Sequence, residues 1–105
     1  MSNCIFCKII NKTIPANIIY EDDEIIAFYD IHPKTKTHFL VIPKIHIESM
    51  LHLNDSGMHS ALMGNLMIKA NKIAKNLGLT GYKININTGV DGGQEVFHLH
   101  IHVLG

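Results

Sequence analysis

His98-Leu99-His100-Ile101-His102-Val103-Leu104 alternates histidine with an apolar residue three times and closes on a further apolar residue. A period of two marks a β-strand, because successive side chains point to opposite faces of a sheet. His98, His100 and His102 then share one face, and Leu99, Ile101 and Val103 the other. Neighbouring histidines stand roughly 6.6 Å apart along such a strand and the outer pair about 13 Å. Two neighbours can share a metal ion, but three do not reach one. Spread this way they suit the roles of nucleophile, acid/base and orienting group, since imidazole, with a pKa of about 6.5, keeps a neutral nucleophilic fraction at neutral pH. The plainer reading is a solvated polar face. It is favoured for one histidine and disfavoured for three in strict alternation after a glycine-rich loop.

That loop is Thr88-Gly89-Val90-Asp91-Gly92-Gly93-Gln94, which can bring backbone N–H groups close to a ligand. Before it, Tyr82 to Asn87 alternates Lys83, Asn85 and Asn87 against Ile84 and Ile86. Further upstream, Met58, Leu62, Leu66, Ala70, Ile73 and Leu77 recur at three- and four-residue steps. They form one face of a long amphipathic helix, with Asn54-Asp55-Ser56 as N-cap and Gly78 as C-cap. Asn17 to Tyr20 and Glu24 to Asp30 read as a hairpin around Asp22–Asp23, and His38 to Ile42 as a third strand ended by Pro43. Ile5 to Ile10 reads as a short helix, broken before Pro15. The expected fold is α+β: a five-stranded antiparallel sheet with one long and one short helix. One sheet face packs on the long helix, and the other presents amides and histidines.

The 105 residues are expected to form one domain, spanning 1–105. Nine basic and nine acidic residues balance, without a dense Lys/Arg run, which disfavours a nucleic-acid polymer as partner. No run approaches the ~18–20 apolar residues of a membrane helix, and Met1 to Ile10 lacks the pattern of a signal peptide. A cytoplasmic location without membrane contact is the expectation. In a reducing compartment, Cys4 and Cys7 are metal ligands or free thiols before they are a disulfide.

The histidine stretch resembles the motif of the histidine triad (HIT) family, and the resemblance extends over nearly the whole chain. It includes Ile5-Phe6-Cys7-Lys8-Ile9-Ile10, Ile14-Pro15, Ala27-Phe28-Tyr29-Asp30-Ile31, Thr37-His38-Phe39-Leu40-Val41-Ile42-Pro43-Lys44 and Gly92-Gly93-Gln94-Glu95-Val96-Phe97. The nearest branch is that of the purine nucleoside phosphoramidases. The resemblance implies that His100 attacks the α-phosphorus and becomes transiently nucleotidylated, with His102 and His38 around the phosphate. His98 orients this cluster or binds zinc. Asp30 would bond ribose hydroxyls. Phe6, Ile9, Ile14 and Ile31 would wall the base, although core packing explains such residues equally well. Asn87, Gly93 and Gln94 would contact phosphate and leaving group. In many relatives a Ser or Thr follows the loop glutamine. Here it is Glu95, as in some other relatives, and a carboxylate beside a phosphate repels it unless turned away or protonated.

A lone C-x-x-C is weak evidence for metal. Relatives with the same cysteine pair imply a structural Zn2+ held by Cys4, Cys7, His46 and His98, without a catalytic cofactor. His32, His52 and His59 are expected to be solvated. The resemblance also implies a homodimer whose sheets join edge to edge. Three functions follow as alternatives. The first is hydrolysis of purine nucleoside 5′-phosphoramidates to AMP or GMP. The second is hydrolysis of dinucleoside polyphosphates. The third is a zinc-stabilised nucleotide-binding or interaction module with little turnover.

Overall fold

A computed structural model describes residues 3–105, so Met1 and Ser2 of the expected domain lie outside the described residues. Strand β1 (Ile18–Glu21) turns at Asp22, whose Oδ1 accepts the N–H groups of Glu24 and Ile25, into β2 (Ile25–Tyr29). With β3 (His38–Pro43), β4 (Lys83–Asn85) and β5 (Ile101–Leu104) these strands form one antiparallel sheet in the order β1-β2-β3-β5-β4. Helices α1 (Ile5–Ile10) and α2 (Gly57–Asn76) complete the α+β architecture expected from the sequence.

α2 begins where Ser56 Oγ accepts the His59 N–H. It ends at Gly78, whose φ of 83° allows Gly78 N–H to reach Lys75 O and Leu79 N–H to reach Ala74 O. Its buried face is Leu62, Leu66, Ala70, Ile73 and Ala74, packed on Ile25, Ala27, Phe39, Val41, Ile101 and Val103. The expected stripe is too long at both ends. Met58 and Leu77 are exposed, and the buried stripe runs from Leu62 to Ala74. Burying each Leu or Ile of this layer contributes about 1.5–3 kcal/mol.

The opposite sheet face departs from expectation. Rather than amides and histidines alone, β2 and β3 present Ile26, Phe28, Leu40 and Ile42, which pack on Phe6 and Ile9 of α1. These central strands are apolar on both sides, so their sequence carries no alternation from which the second cover can be read. Polar side chains gather at the two ends of β3, with Asp30, His38 and His102 at one and His98 beside Pro43 at the other.

The strand expected over His98–Val103 is also shorter in pairing. The ladder begins at Ile101, and upstream of it Leu99 N–H donates to Ile47 O. Residues 98–100 lead into the strand, keeping the alternation of faces: Leu99 lies in the α2-side core while His98 and His100 approach Phe6 of α1. Pairing of β2, β3 and β5 sets Phe28, Leu40 and His102 side by side in one row across the sheet.

Candidate functional site

The register that pairs Leu40 with His102 and His38 with Leu104 makes His38 and His102 diagonal neighbours on one face. Their rings meet with Nε2 of His38 3.0 Å from Nδ1 of His102. Asp30 arrives at the end of β2, tied by its N–H to His38 O, and its Oδ1 accepts the His32 N–H. Its Oδ2 lies 3.5 Å from His38 Nε2 and 4.0 Å from His102 Nδ1.

The backbone determines which ring nitrogens carry protons. Lys34 N–H donates to His38 Nδ1, so the His38 proton resides on Nε2 and points at His102 Nδ1. That leaves His102 protonated on Nε2. His100 Nδ1–H donates to His98 O at 2.6 Å, so its Nε2 keeps a free lone pair. Burial holds the His100 imidazole below its usual pKa, against the pull of the His98 carbonyl and Asp30. Burial, then the neighbouring His100 and His38, push His102 down to about 4. Near neutral pH both rings are neutral, and His100 Nε2 is the atom equipped to attack an electrophile.

His100 and His102 line a cavity of about 360 Å³ between α1 and the β2–β3 end of the sheet. That is the size of a small-molecule site. Phe6, Ile9, Ile14, Asp30, Ile31 and Glu95 all line it, with Ile31 at the mouth and 85% exposed. Sequence reasoning gave no site role to Pro15, Ala16, Phe28, Tyr29, Leu40, His32 or Val96, which also line it. The Phe28–Leu40–His102 row was available from the strand pairing, whereas Pro15 and Val96 carry no local signal.

Asn87, Gly93 and Gln94 are not among the lining residues. Gln94 is buried, and its Oε1 accepts Gly89 N–H while Nε2 donates to Glu48 O and Val96 O. Asn87 Nδ2 donates to Gly92 O. The N–H groups of Gly89, Gly92, Gly93 and Gln94 all donate within the loop, so these four are not turned toward a ligand as the glycine-rich composition suggested. Gly89 and Gly93, with φ of 72° and 84°, let the loop fold back on itself.

His98 does not join this cluster with its side chain. Its ring is fully buried, Nε2–H donates to Pro43 O, and Nδ1 faces Cys4 Sγ at 3.5 Å, Cys7 Sγ at 3.7 Å and His46 Nδ1 at 3.1 Å. All four expected ligand atoms lie within 4.8 Å of one another. A tetrahedral zinc with Zn–S about 2.3 Å and Zn–N about 2.0–2.1 Å separates its ligands by roughly 3.3–3.8 Å, which most of these distances match. Cys4 caps α1, its Sγ accepting Cys7 N–H, so the helix start steadies sulfur charge. Burial pushes the Cys7 thiol up, and the hydrogen bond and charge of Cys4 add to it. A shared cation relieves that repulsion. Burial likewise pushes His98 down to about 4, keeping its Nδ1 free as a donor. The residues present fit Zn2+. His52 and His59 serve their own turns, through Ser49 Oγ and Asn54 N–H respectively.

Residues 3–105 match the family described as "Scavenger mRNA decapping enzyme C-term binding". The chain is 54% identical over 106 residues to Protein HitA of Neisseria gonorrhoeae, covering 100% of this chain and 97% of that one. It is 45% identical over 104 residues to the purine nucleoside phosphoramidase of Escherichia coli (strain K12), covering 96% and 85%. The crystal structure of a HIT family hydrolase from Legionella pneumophila Philadelphia 1 superposes with a TM-score of 0.94 at 47% identity, over 98% of this chain and 92% of that one. A fold built to carry three alternating histidines, and relatives that match it end to end, lead to one conclusion: the chain belongs to the histidine triad family of hydrolases.

Proposed function

We propose that this hydrolase cleaves purine nucleoside 5′-phosphoramidates, releasing AMP or GMP and an amine, through a covalent intermediate on His100. The observation that carries the reading is the His100–His98 contact: a main-chain carbonyl fixes the proton on Nδ1 and leaves Nε2 free in the cavity. The purine lies between Phe6, Ile9, Ile14 and Ile31, and Asp30 Oδ2 receives the ribose hydroxyls. Asn87, Gly93 and Gln94 act by position, shaping the loop before Glu95.

His100 Nε2 forms a bond to phosphorus as the P–N bond to the leaving amine breaks, and the electron pair stays on the departing nitrogen. That nitrogen takes a proton from His102, which picks it up when the anionic substrate offsets the burial penalty on its ring. Water then attacks phosphorus. Its proton passes to His102, and the bonding pair returns to His100 Nε2. The sum is water plus phosphoramidate giving nucleotide plus amine. Splitting the displacement in two lowers each barrier. His38, held by Lys34 N–H and Asp30, orients His102.

Cys4, Cys7, His46 and His98 would hold Zn2+ as a closed structural site, where the ion supplies folding energy rather than chemistry. No catalytic cofactor enters this scheme. The position of β4 at an open edge of the sheet supports a homodimer with sheets joined edge to edge, since an open edge invites pairing. Unbridged Cys4 and Cys7 support a cytoplasmic setting. Among the described residues no helix is long and apolar enough to cross a membrane.

The test is adenosine 5′-phosphoramidate with the natural chain and His100→Ala, following AMP release and an acid-labile adenylyl adduct by mass spectrometry. Turnover and an adduct, both absent from the variant, are expected. Faster cleavage of diadenosine polyphosphates would replace the reading with the second of the three functions. AMP binding without turnover of either substrate would replace it with the third.

A further inference from the structure

The charges around the cavity are one-sided. Its lining includes the carboxylates of Asp30 and Glu95 and, among the described residues, no Lys or Arg. Lys34, the lysine whose charge His102 senses, belongs to the β2–β3 connection and is not part of the lining. A second source of anion stabilisation, the glycine-rich loop, has the N–H groups of Gly89, Gly92, Gly93 and Gln94 committed internally. A single phosphate can be met by the histidines. A further anionic group on the leaving side would face a carboxylate with no lining cation to offset it.

Glu95 stands where this matters. The main cavity adjoins a recess lined by Asn3, Cys4, Ile5, Glu95, Val96 and Phe97, and Ile5, Glu95 and Val96 belong to both. Ile5 is 48% and Phe97 40% exposed, so the recess offers apolar surface beside one acid. Glu95 is itself exposed and engages no partner in a hydrogen bond or ion pair among the described residues. Asp30, by contrast, is occupied by His32 N–H and the two histidines.

We propose that Glu95 selects the leaving group: the recess receives an amine with an apolar body and a positive charge, and the Glu95 carboxylate disfavours anionic leaving groups, polyphosphates included. This rests on the phosphoramidase reading above and names the substrate class within it. The reaction is unchanged in its balance, with the P–N bond broken and the amine nitrogen protonated through His102. Glu95 acts through its charge on the departing group and takes no proton in the step.

The experiment compares three adenosine 5′-phosphoramidates of similar size, made from 1,2-diaminoethane, propylamine and glycine, which carry a positive, neutral and negative end. For the natural chain kcat/KM falls in that order, by about tenfold from first to last at low salt. The spread narrows in 0.5 M salt, because an exposed carboxylate is screened. Glu95→Gln brings the three to within about twofold, and Glu95→Lys reverses the order. A charge order that persists in Glu95→Gln, or one absent from the natural chain, overturns the inference and leaves the phosphoramidase reading standing. No cleavage of any of the three by the natural chain overturns both.

Discussion

Two histidine clusters flank one short segment, and they use the same ring in opposite ways. In the Cys4–Cys7–His46–His98 cluster, Pro43 O accepts a hydrogen bond from His98 Nε2–H, so Nδ1 faces the sulfurs bare. In the Asp30–His38–His102 cluster, Lys34 N–H occupies His38 Nδ1, so Nε2–H faces its neighbour and passes the hydrogen bond onward. A main-chain acceptor behind the ring leaves the far nitrogen bare, as at His98 and His100, and a main-chain donor behind it makes the far nitrogen a donor, as at His38. The first cluster gathers two sulfur and two imidazole nitrogen donors without a carboxylate. The second has a carboxylate and opens onto a cavity.

The sharpest break between them is His100→Ala. It should lower kcat/KM for a phosphoramidate by at least about 10³-fold, with metal content unchanged when assayed on the same sample. Cys4→Ser should do the reverse. Metal is lost and the thermal midpoint falls by roughly 10 °C, while kcat/KM drops by less than about tenfold. A metal-free variant as inactive as His100→Ala would show the clusters to be one unit.

Asp30→Asn sharpens the comparison from the open side. It should weaken AMP binding about tenfold by calorimetry, without altering metal content. The pH dependence of stability probes the open cluster through His102. The folded-state pKa of His102, about 4, lies below the ordinary value of about 6.5. Between these values the unfolded chain binds more protons, so the stability that the neutral ring supports at pH 7 is lost as pH falls through this window. The drop in thermal midpoint from pH 7 to pH 5 should be smaller, by a few degrees, in His102→Gln than in the natural chain. An equal drop would place the acid sensitivity elsewhere. The smallest effect belongs to His52→Gln, which sits outside both clusters and should change stability by less than about 0.5 kcal/mol.

Much of this was legible in the sequence because it was periodic or local. The spacing of Leu62, Leu66, Ala70 and Ile73 specified α2, and the alternation from His98 to Val103 specified which face each residue takes. Ser56 and Gly78 marked the helix ends. What could not be read depended on contacts across the chain. The cover of α1 over β2 and β3 is invisible in strands that are apolar on both sides. Pairing of Leu99 with Ile47 shortens β5 without changing its pattern. The family resemblance implied a phosphate or leaving-group contact for Gln94, and no local signal announced that its amide also bonds Gly89, Glu48 and Val96. The two histidine clusters were separable only in space, since His98 and His100 are two residues apart and belong to different ones.

That adjacency has a consequence for how the protein can change over generations. His98 contributes its side chain to one cluster and its carbonyl to the other. Substitution can remove the imidazole, but every amino acid brings the same carbonyl. A lineage can therefore discard Cys4, Cys7 and the ring of His98 in successive steps while the acceptor for His100 Nδ1 remains in the chain. Inheritance can treat the Cys/His cluster as optional and the carbonyl behind His100 as permanent, although one residue carries both.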